Sequence, residues 1–185
     1  MDSAVARERV LDAAGTLFYG RGIQSVGMDE IRGASGVSLK RLYALFPAKD
    51  QLVEAYLERR DTVWRGRLAE YVEQRAEPEE RILAVFDHLH RWFDEPGFRG
   101  CAWINAYGEL GASSDRVAAQ ARAHKKAFRA YVGSLVADAG LPDRLADHLT
   151  LLAEGAMVTA GIFHSPEPAL QAREAAAALL AAARG

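Results

Sequence analysis

Apolar residues recur at intervals of three and four along almost the whole chain, and glycines and prolines interrupt this spacing. No stretch alternates apolar and polar residues over more than a few positions, so the pattern does not favour β-strands. Spacing of three and four gives amphipathic helices, each with one apolar stripe. The chain is therefore predicted to be all-α, with nine helices joined by short links.

Glycines and a proline limit the first three helices, because glycine readily ends a helix and proline disfavours helix in the residue before it. These breaks lie at Gly22, Gly27, Gly36 and Pro47. The later helices are predicted over residues 49–74, 78–95, 102–110, 113–139, 143–163 and 168–183. The division predicts a three-helix head, residues 1–48, on a roughly six-helix body, residues 49–185.

Composition and charge exclude several classes of protein. The 185-residue chain has a formal net charge of -2 and one cysteine, Cys101, which cannot form an intrachain disulfide. No apolar run reaches the roughly 18 residues that span a bilayer, and the polar start is not typical of a signal peptide. We therefore expect a cytoplasmic protein with no membrane partner. Nucleic-acid binding stays open, because it needs only a local basic surface.

The sequence shows no catalytic or metal-binding pattern. His88 and His90 are two residues apart, which does not place both on one helix face, and no acid follows them at HExxH spacing. A nucleophile elbow, a phosphate-binding loop and a convincing carboxylate pair are also missing. We therefore predict a protein that is not an enzyme and that has no metal and no cofactor.

Residues 28–46, MDEIRGASGVSLKRLYALF, have the spacing of a helix-turn-helix motif. Ile31 suits the inside of the first helix, Gly36 lies where the chain must turn, and Leu42 is placed to pack the second helix. Because Val37, Leu42 and Phe46 are needed for packing, the residues between them are expected to face outwards. These outward residues are Ser38, Leu39, Lys40, Arg41, Tyr43 and Ala44.

The charges in this motif are distributed unevenly. Every charged side chain from Gly33 to Lys49 is cationic, namely Lys40, Arg41 and Lys49 itself. An exposed helix with cations can enter a DNA major groove and neutralise the flanking phosphates. The alternative is a compact helical corner whose cations are only solvated, and helical spacing alone does not exclude it.

The stretches RERVLDAAGTLFYGRG and MDEIRGASGVSLKRLYALFPAKDQL resemble the N-terminal signature of the TetR-type transcriptional regulators, over roughly the first fifty residues. The resemblance implies a three-helix DNA-binding head on a six-helix body that binds a ligand and dimerises. It further implies a repressor that binds a palindromic operator as a dimer and is released by a small-molecule effector. The alternative function is a helical small-molecule-binding or protein-interaction module without specific DNA binding.

The resemblance also assigns roles to individual residues. It places Tyr43 on a phosphate, Lys49 on the DNA backbone, and Ser38 as a cap and anchor of the second motif helix. Gly27 stands where the family often has a threonine, and Arg32 could supply a phosphate contact in its place. The predicted DNA-binding residues are Gly27, Ser38, Leu39, Lys40, Arg41, Tyr43 and Lys49.

The last two helices have enough small and apolar surface to need a packing partner. A stripe runs through Leu145, Leu149, Leu152, Ala156, Ala160 and Phe163, with Gly155 and Gly161 allowing close approach. The residues alone leave open whether this stripe packs on the rest of the body. The resemblance points to a homodimer through a four-helix bundle formed by these two helices.

The middle helices are rich in aromatic residues, which could line a mostly apolar ligand pocket. The candidate ligand-binding residues are Trp92, Trp103, Tyr107, Phe128 and Tyr131. The competing interpretation is ordinary core packing. Cys101 is expected to be a small buried residue rather than a redox switch.

Overall fold

The computed structural model describes residues 2–184, which form nine α-helices and no strand. The predicted all-α fold class is confirmed. No helix in this part of the chain is both long and apolar enough to cross a membrane. The helices are α1 Ser3–Arg21, α2 Met28–Ser35, α3 Leu39–Leu45, α4 Lys49–Glu73, α5 Pro78–Phe93, α6 Ala102–Leu110, α7 Asp115–Asp138, α8 Arg144–Phe163 and α9 Glu167–Arg184.

The helices pack into two units, of which unit 1 comprises the described residues up to Thr62 together with Ala102–Arg122. In unit 1, α2 packs against both α1 and α3. Gly36 ends α2 with a φ of +66°, a left-handed conformation that side chains disfavour. A Cβ at this position would also lie 3.1 Å from Nη2 of Arg9. The buried apolar core of this corner includes Val10, Phe18, Ile31, Leu42 and Phe46.

Unit 2 comprises Val63–Cys101 and the described residues from Ala123 onwards. Here α9 packs against both α5 and α8, and α5 also contacts α8. An aromatic cluster surrounds Trp64, whose ring makes edge-to-face contacts with Trp92 at 5.7 Å and Phe128 at 5.5 Å between centroids. Such contacts add specific geometry to the apolar burial that holds this unit together.

The two packing units do not coincide with the predicted head and body. Helix α6 and the first part of α7 belong to unit 1 together with α1–α3 and the first part of α4, although both lie far along the chain from α1–α3. Helices α4 and α7 each contribute residues to both units. The functional boundary between residues 48 and 49 stays a prediction.

Helix α8 has two apolar faces, and the predicted stripe lies on the one that packs inside the chain, which is the alternative that the sequence left open. Most of the predicted stripe is buried within the chain, namely Leu145, Leu149, Ala156 and Ala160. Periodicity could not distinguish the two faces because both are apolar. The exposed face instead presents Leu151, Gly155, Val158 and Ile162, which we call the α8 outer face.

The two glycines of α8 have different surroundings. A Cβ at Gly155 would meet no atom within 4 Å, so this glycine leaves the α8 outer face open. A Cβ at Gly161 would lie 3.0 Å from the Cα of Gly100. The glycine therefore lets α8 pack closely against the backbone of its own chain. Phe163, at the end of α8, is 73% exposed.

Candidate nucleic-acid interface

Helix α3, the second helix of the helix-turn-helix motif, which we call the recognition helix, is anchored by one apolar face and exposes the other. Leu42 is fully buried, whereas Leu39 and Tyr43 are 46% and 45% exposed. Lys40 is exposed beside them, and Arg41 is half-buried. A rigid surface that combines cations, a phenol and an apolar side chain can contact both phosphates and base edges in a major groove.

The start of α3 depends on backbone groups rather than on a side-chain cap. Ser38 occupies the N-cap position, where its carbonyl oxygen accepts the N–H groups of Arg41 at 3.0 Å and Leu42 at 2.9 Å. Its hydroxyl makes no capping hydrogen bond, so that part of the prediction is wrong. The exposed hydroxyl therefore remains available to an outside acceptor such as a phosphate oxygen.

The cations of the recognition helix have no carboxylate partner. Within residues 2–184, neither Lys40 nor Arg41 forms an ion pair. The same holds for Lys49 at the start of α4, whose Nζ lies 5.9 Å from the centroid of the Phe18 ring. Lys40 and Arg41 therefore have no ion-pair partner within this part of the chain, and the charge of Lys49 acts on the Glu30 carboxylate without forming an ion pair.

The acidic residues of the motif, in contrast, are neutralised by arginines. Glu30 pairs with Nη1 of Arg21 at 2.5 Å, and Asp29 pairs with Nε of Arg32 at 2.7 Å. The hydrogen bond from Arg32 lowers the pKa of Asp29, and that from Arg21 lowers the pKa of Glu30. Arg32 is thus committed to Asp29 in this structure, which weakens its candidacy for a phosphate contact.

Gly27 is the N-cap of α2 and is exposed. Its N–H donates to Oε1 of Glu30 at 3.4 Å, so the side chain of Glu30 folds back onto the start of α2. A Cβ at Gly27 would meet no atom within 4 Å. The position therefore has room for another molecule to approach the backbone, although glycine supplies no hydroxyl.

An acidic residue of α6 binds the turn between α1 and α2 within unit 1. The two carboxylate oxygens of Glu109 accept the N–H groups of Ile23 at 3.0 Å and Gln24 at 2.8 Å. In return, the side-chain amide of Gln24 donates to the carbonyl oxygen of Glu109. Gly22, with a φ of +89°, would bring a Cβ to 3.2 Å from both carboxylate oxygens. We call this arrangement the Glu109 clamp.

Sequence reasoning missed the Glu109 clamp, because its partners are about eighty-five residues apart along the chain. A single glutamate in a helical sequence gives no pattern from which a contact with a distant backbone could be predicted. The positive φ of Gly22 indicates a turn but not what packs on it. The clamp ties α6 directly to the turn that precedes the helix-turn-helix motif.

The five predicted ligand-binding residues do not all belong to one unit. Trp92 and Phe128 meet at Trp64 in unit 2, where both are buried. Trp103 and Tyr107 lie on α6 in unit 1, where Trp103 is buried and Tyr107 is 53% exposed. A pocket lined by these residues stays a prediction.

Tyr131 carries an uncompensated polar group in unit 2. Its Oη is buried and has no hydrogen-bond partner among residues 2–184. Burial, reinforced by the charge of Glu73, raises the pKa of Tyr131 to about 12. A buried phenol of this kind would gain from an outside acceptor, since an unsatisfied donor destabilises the folded state. Among the five candidates, Tyr131 therefore has the clearest polar group to offer a ligand.

The remaining titratable groups form no metal site in the described part of the chain. No cluster of at least three histidine, cysteine, aspartate or glutamate residues there could hold a metal ion. Cys101 is buried, as predicted, and its Sγ lies 3.3 Å from Nζ of Lys125. That amine in turn pairs with Glu154 at 2.5 Å, so Lys125 has a structural counter-charge.

Comparison with known structures identifies relatives over the full length of the chain. A TetR-family transcriptional regulator from Streptomyces coelicolor is 30% identical with a TM-score of 0.89, and the match covers 98% of this chain and 97% of that chain. A TetR transcriptional regulator from Chloroflexus aurantiacus, at 24% identity and a TM-score of 0.84 over 97% and 96% of the two chains, supports the fold alone.

Comparison of sequences gives matches that include the candidate interface. Residues 10–56 match the family model for bacterial regulatory proteins of the tetR family, and this range contains α2, α3 and Lys49. An uncharacterized HTH-type transcriptional regulator from Mycobacterium tuberculosis is 33% identical over 125 residues. That match covers 64% of this chain, and it spans 61% of the length of the curated relative.

Proposed function

The chain belongs to the TetR family of transcriptional regulators, and we propose that it is a sequence-specific repressor. It binds a palindromic operator as a homodimer, and a small-molecule effector releases it from the DNA. The observation that carries this proposal is the exposed face of α3, whose cations have no carboxylate partner in the part of the chain that the structure describes. DNA as the partner also favours a cytoplasmic location and a role without catalysis.

In the proposed complex, α3 lies in the major groove. Arg41 and Lys40 contact base edges or phosphates, Tyr43 donates to a phosphate, and Lys49 neutralises the backbone beside the start of α4. Each good bidentate base contact contributes about 1–3 kcal/mol of discrimination, so one head alone would be weakly selective. Two heads spaced by roughly 34 Å would read both halves of a palindrome.

The α8 outer face supplies the proposed dimer contact. Leu151 and Ile162 are 70% and 68% exposed, and Gly155 between them leaves room for a second helix to approach closely. Leu170 of α9 adds a further exposed apolar side chain. A second copy of the same face would cover these groups in a two-fold arrangement, as closed dimers require.

Substitution of Ile162 tests this contact. Ile162→Glu places two charges at the centre of an apolar contact and is expected to yield a monomer in sedimentation experiments, with operator binding reduced accordingly. Ala137→Glu, which adds the same charge at an exposed position of α7, is the matched control and should remain dimeric. If both variants remain dimers, another surface forms the interface.

The Glu109 clamp supports a route from the body to the head. A ligand that moves α6 would shift the two carboxylate hydrogen bonds to the α1–α2 turn, and with them the position of the head. An effector with higher affinity for the displaced state would lower the population that fits DNA.

Selection of random duplex DNA on the purified protein at near-physiological salt tests the proposed function as a whole. The expected result is enrichment of a two-fold symmetric motif. A variant with Lys40→Ala and Arg41→Ala, selected in parallel, should not enrich that motif. If the wild-type pool stays random, the protein is better described as a helical ligand-binding or interaction module, and the repressor proposal is wrong.

A further inference from the structure

Two guanidinium groups and one imidazole lie around a single phenol ring in unit 2. The guanidinium carbons of Arg75 and Arg91 lie 5.2 Å and 5.3 Å from the centroid of the Tyr71 ring, within cation–π distance. The ring of His88 lies 5.5 Å from the same centroid. Nη2 of Arg75 is also 3.4 Å from Oη of Tyr71, at the long end of hydrogen-bond distance. Tyr71 therefore interacts with both guanidinium groups.

Arg67 adds a third positive charge to this group. Arg67 lies four residues before Tyr71, which places both on one face of α4, and Arg75 follows just after the end of this helix. Arg67 and Arg91 are exposed, whereas His88 is largely buried beneath them. Burial first, and then the charges of Arg91 and Arg67, lower the pKa of His88 to about 4. The imidazole thus lies in a positive electrostatic potential supplied from both α4 and α5.

The arginine group lacks the counter-charges that other arginines of unit 2 have. Arg129 pairs with Asp143 and Asp147, and Arg173 pairs with Asp87, at distances of 2.7–2.9 Å. By contrast, among residues 2–184 no carboxylate forms an ion pair with the guanidinium groups around Tyr71. Like charges held together without compensation repel each other, and a bound anion would remove that repulsion.

We propose that Arg67, Arg75 and Arg91 form a binding site for a small multivalent anion, either a phosphate ester or a polycarboxylate. Guanidinium groups match phosphate and carboxylate oxygens with paired hydrogen bonds, which a single ammonium group cannot provide. Tyr71 positions two of the three guanidinium groups and limits their freedom. The residues of this site lie outside α3 and outside the five aromatic candidates for the effector pocket.

Two probes, inorganic phosphate and citrate, test the site on the full-length protein. Each is titrated at constant ionic strength while the His88 imidazole is followed by nuclear magnetic resonance. The expected result is saturable binding of at least one probe, with the pKa of His88 rising towards its ordinary value, because the bound anion offsets the arginine charges. Phosphate binding alone would indicate phosphate esters, and citrate binding alone would indicate polycarboxylates.

Matched variants distinguish a specific site from general screening. Arg91→Gln and Arg67→Gln should each weaken probe binding by about tenfold or more, since each removes a charge-assisted contact. Arg144→Gln removes the same charge at an exposed position of α8 and should leave binding unchanged. Equal responses to sodium chloride and to both probes, or full retention of binding in Arg91→Gln, would overturn the proposal. Response to duplex DNA but to neither probe would overturn it as well.

Discussion

The basic side chains of α3 and those of α7 differ in what surrounds them. On α3, Lys40 is exposed and Arg41 is half-buried, and neither has an acidic partner among the described residues. On α7, Arg129 donates to Asp147 at 2.8 Å and to Asp143 at 2.9 Å. Both regions are helical and partly exposed, so composition alone would not separate them. The two regions differ in ion pairing. A guanidinium that already pairs with two carboxylates has few free N–H groups with which to bind an external anion.

The same distinction holds within the helix-turn-helix motif. The acidic side chains of α2 each pair with an arginine, which reduces their attraction for the charges of α3. The motif therefore presents cations without presenting carboxylates to match them. Cations without partners on a rigid, exposed helix are expected to be the groups that bind phosphate.

The largest expected effect concerns the recognition helix. Changing Lys40→Ala and Arg41→Ala together should reduce affinity for the selected operator by about 100-fold, as expected for two lost contacts of about 1–3 kcal/mol each. Fluorescence anisotropy with a labelled duplex measures the change. Lys126→Ala, an exposed lysine of α7, is the matched control and should bind within about twofold of the wild type. If Lys126→Ala lost as much operator affinity as the double variant, the cations of α3 and α7 would not differ in DNA binding.

The next effect concerns the Glu109 clamp. Glu109→Gln keeps the shape of the side chain, but its amide nitrogen cannot accept a backbone N–H, so one of the two hydrogen bonds to the α1–α2 turn is lost. Operator affinity should fall about 3- to 10-fold in Glu109→Gln and further in Glu109→Ala. Glu70→Gln, at an exposed position of α4, is the control. Wild-type affinity in Glu109→Ala would show that α6 does not position the head.

A smaller effect is expected in the acid stability of unit 2. Because the pKa of His88 is lowered from 6.5 to about 4, the unfolded chain binds more protons than the folded chain between these values. The free energy of unfolding should therefore fall by about 1–2 kcal/mol as the pH drops from 6.5 to 4.5. His88→Gln should lose this part of the pH dependence in denaturant titrations, whereas His148→Gln should keep it. Identical slopes for wild type and His88→Gln would contradict the assignment.

The smallest effect is expected at the paired arginine. Arg129→Ala removes an exposed ion-pair group and should change operator affinity by no more than about twofold, with little change in melting temperature. Parallel anisotropy and thermal unfolding measurements would show this. A loss of DNA binding comparable to that of the α3 variant would mean that pairing does not predict which cations bind DNA.

Local sequence patterns predicted much of the fold because they act over short distances. Gly36 and Pro47 limit the motif helices as expected, and Leu42 is buried while Tyr43 is exposed. Helix ends and side-chain burial of this kind are determined by residues within about one helical turn. The order of the glycine breaks and the apolar spacing are therefore sufficient to predict the helix-turn-helix motif.

Contacts between distant segments were not predictable in the same way. The orientation of α8 depends on which of two apolar faces packs on α5 and α9, and periodicity treats both alike. The pairing of Arg32 with Asp29 and the Glu109 clamp depend on side-chain geometry. The arginine group around Tyr71 draws on α4, on α5 and on the link between them, which are separated in the sequence. Spacing can indicate a charged face but not the partner that it meets.

The most direct test of the central claim is the salt dependence of operator binding. Affinity for the selected duplex is measured across a range of salt concentrations for the wild type and for a variant with Lys40→Ala and Lys49→Ala. If these unpaired cations bind phosphates, the slope of log affinity against log salt becomes shallower by about 0.9 for each lost phosphate contact. An unchanged slope and affinity in the variant would contradict the account, because the cations without partners would then not be the ones that bind DNA.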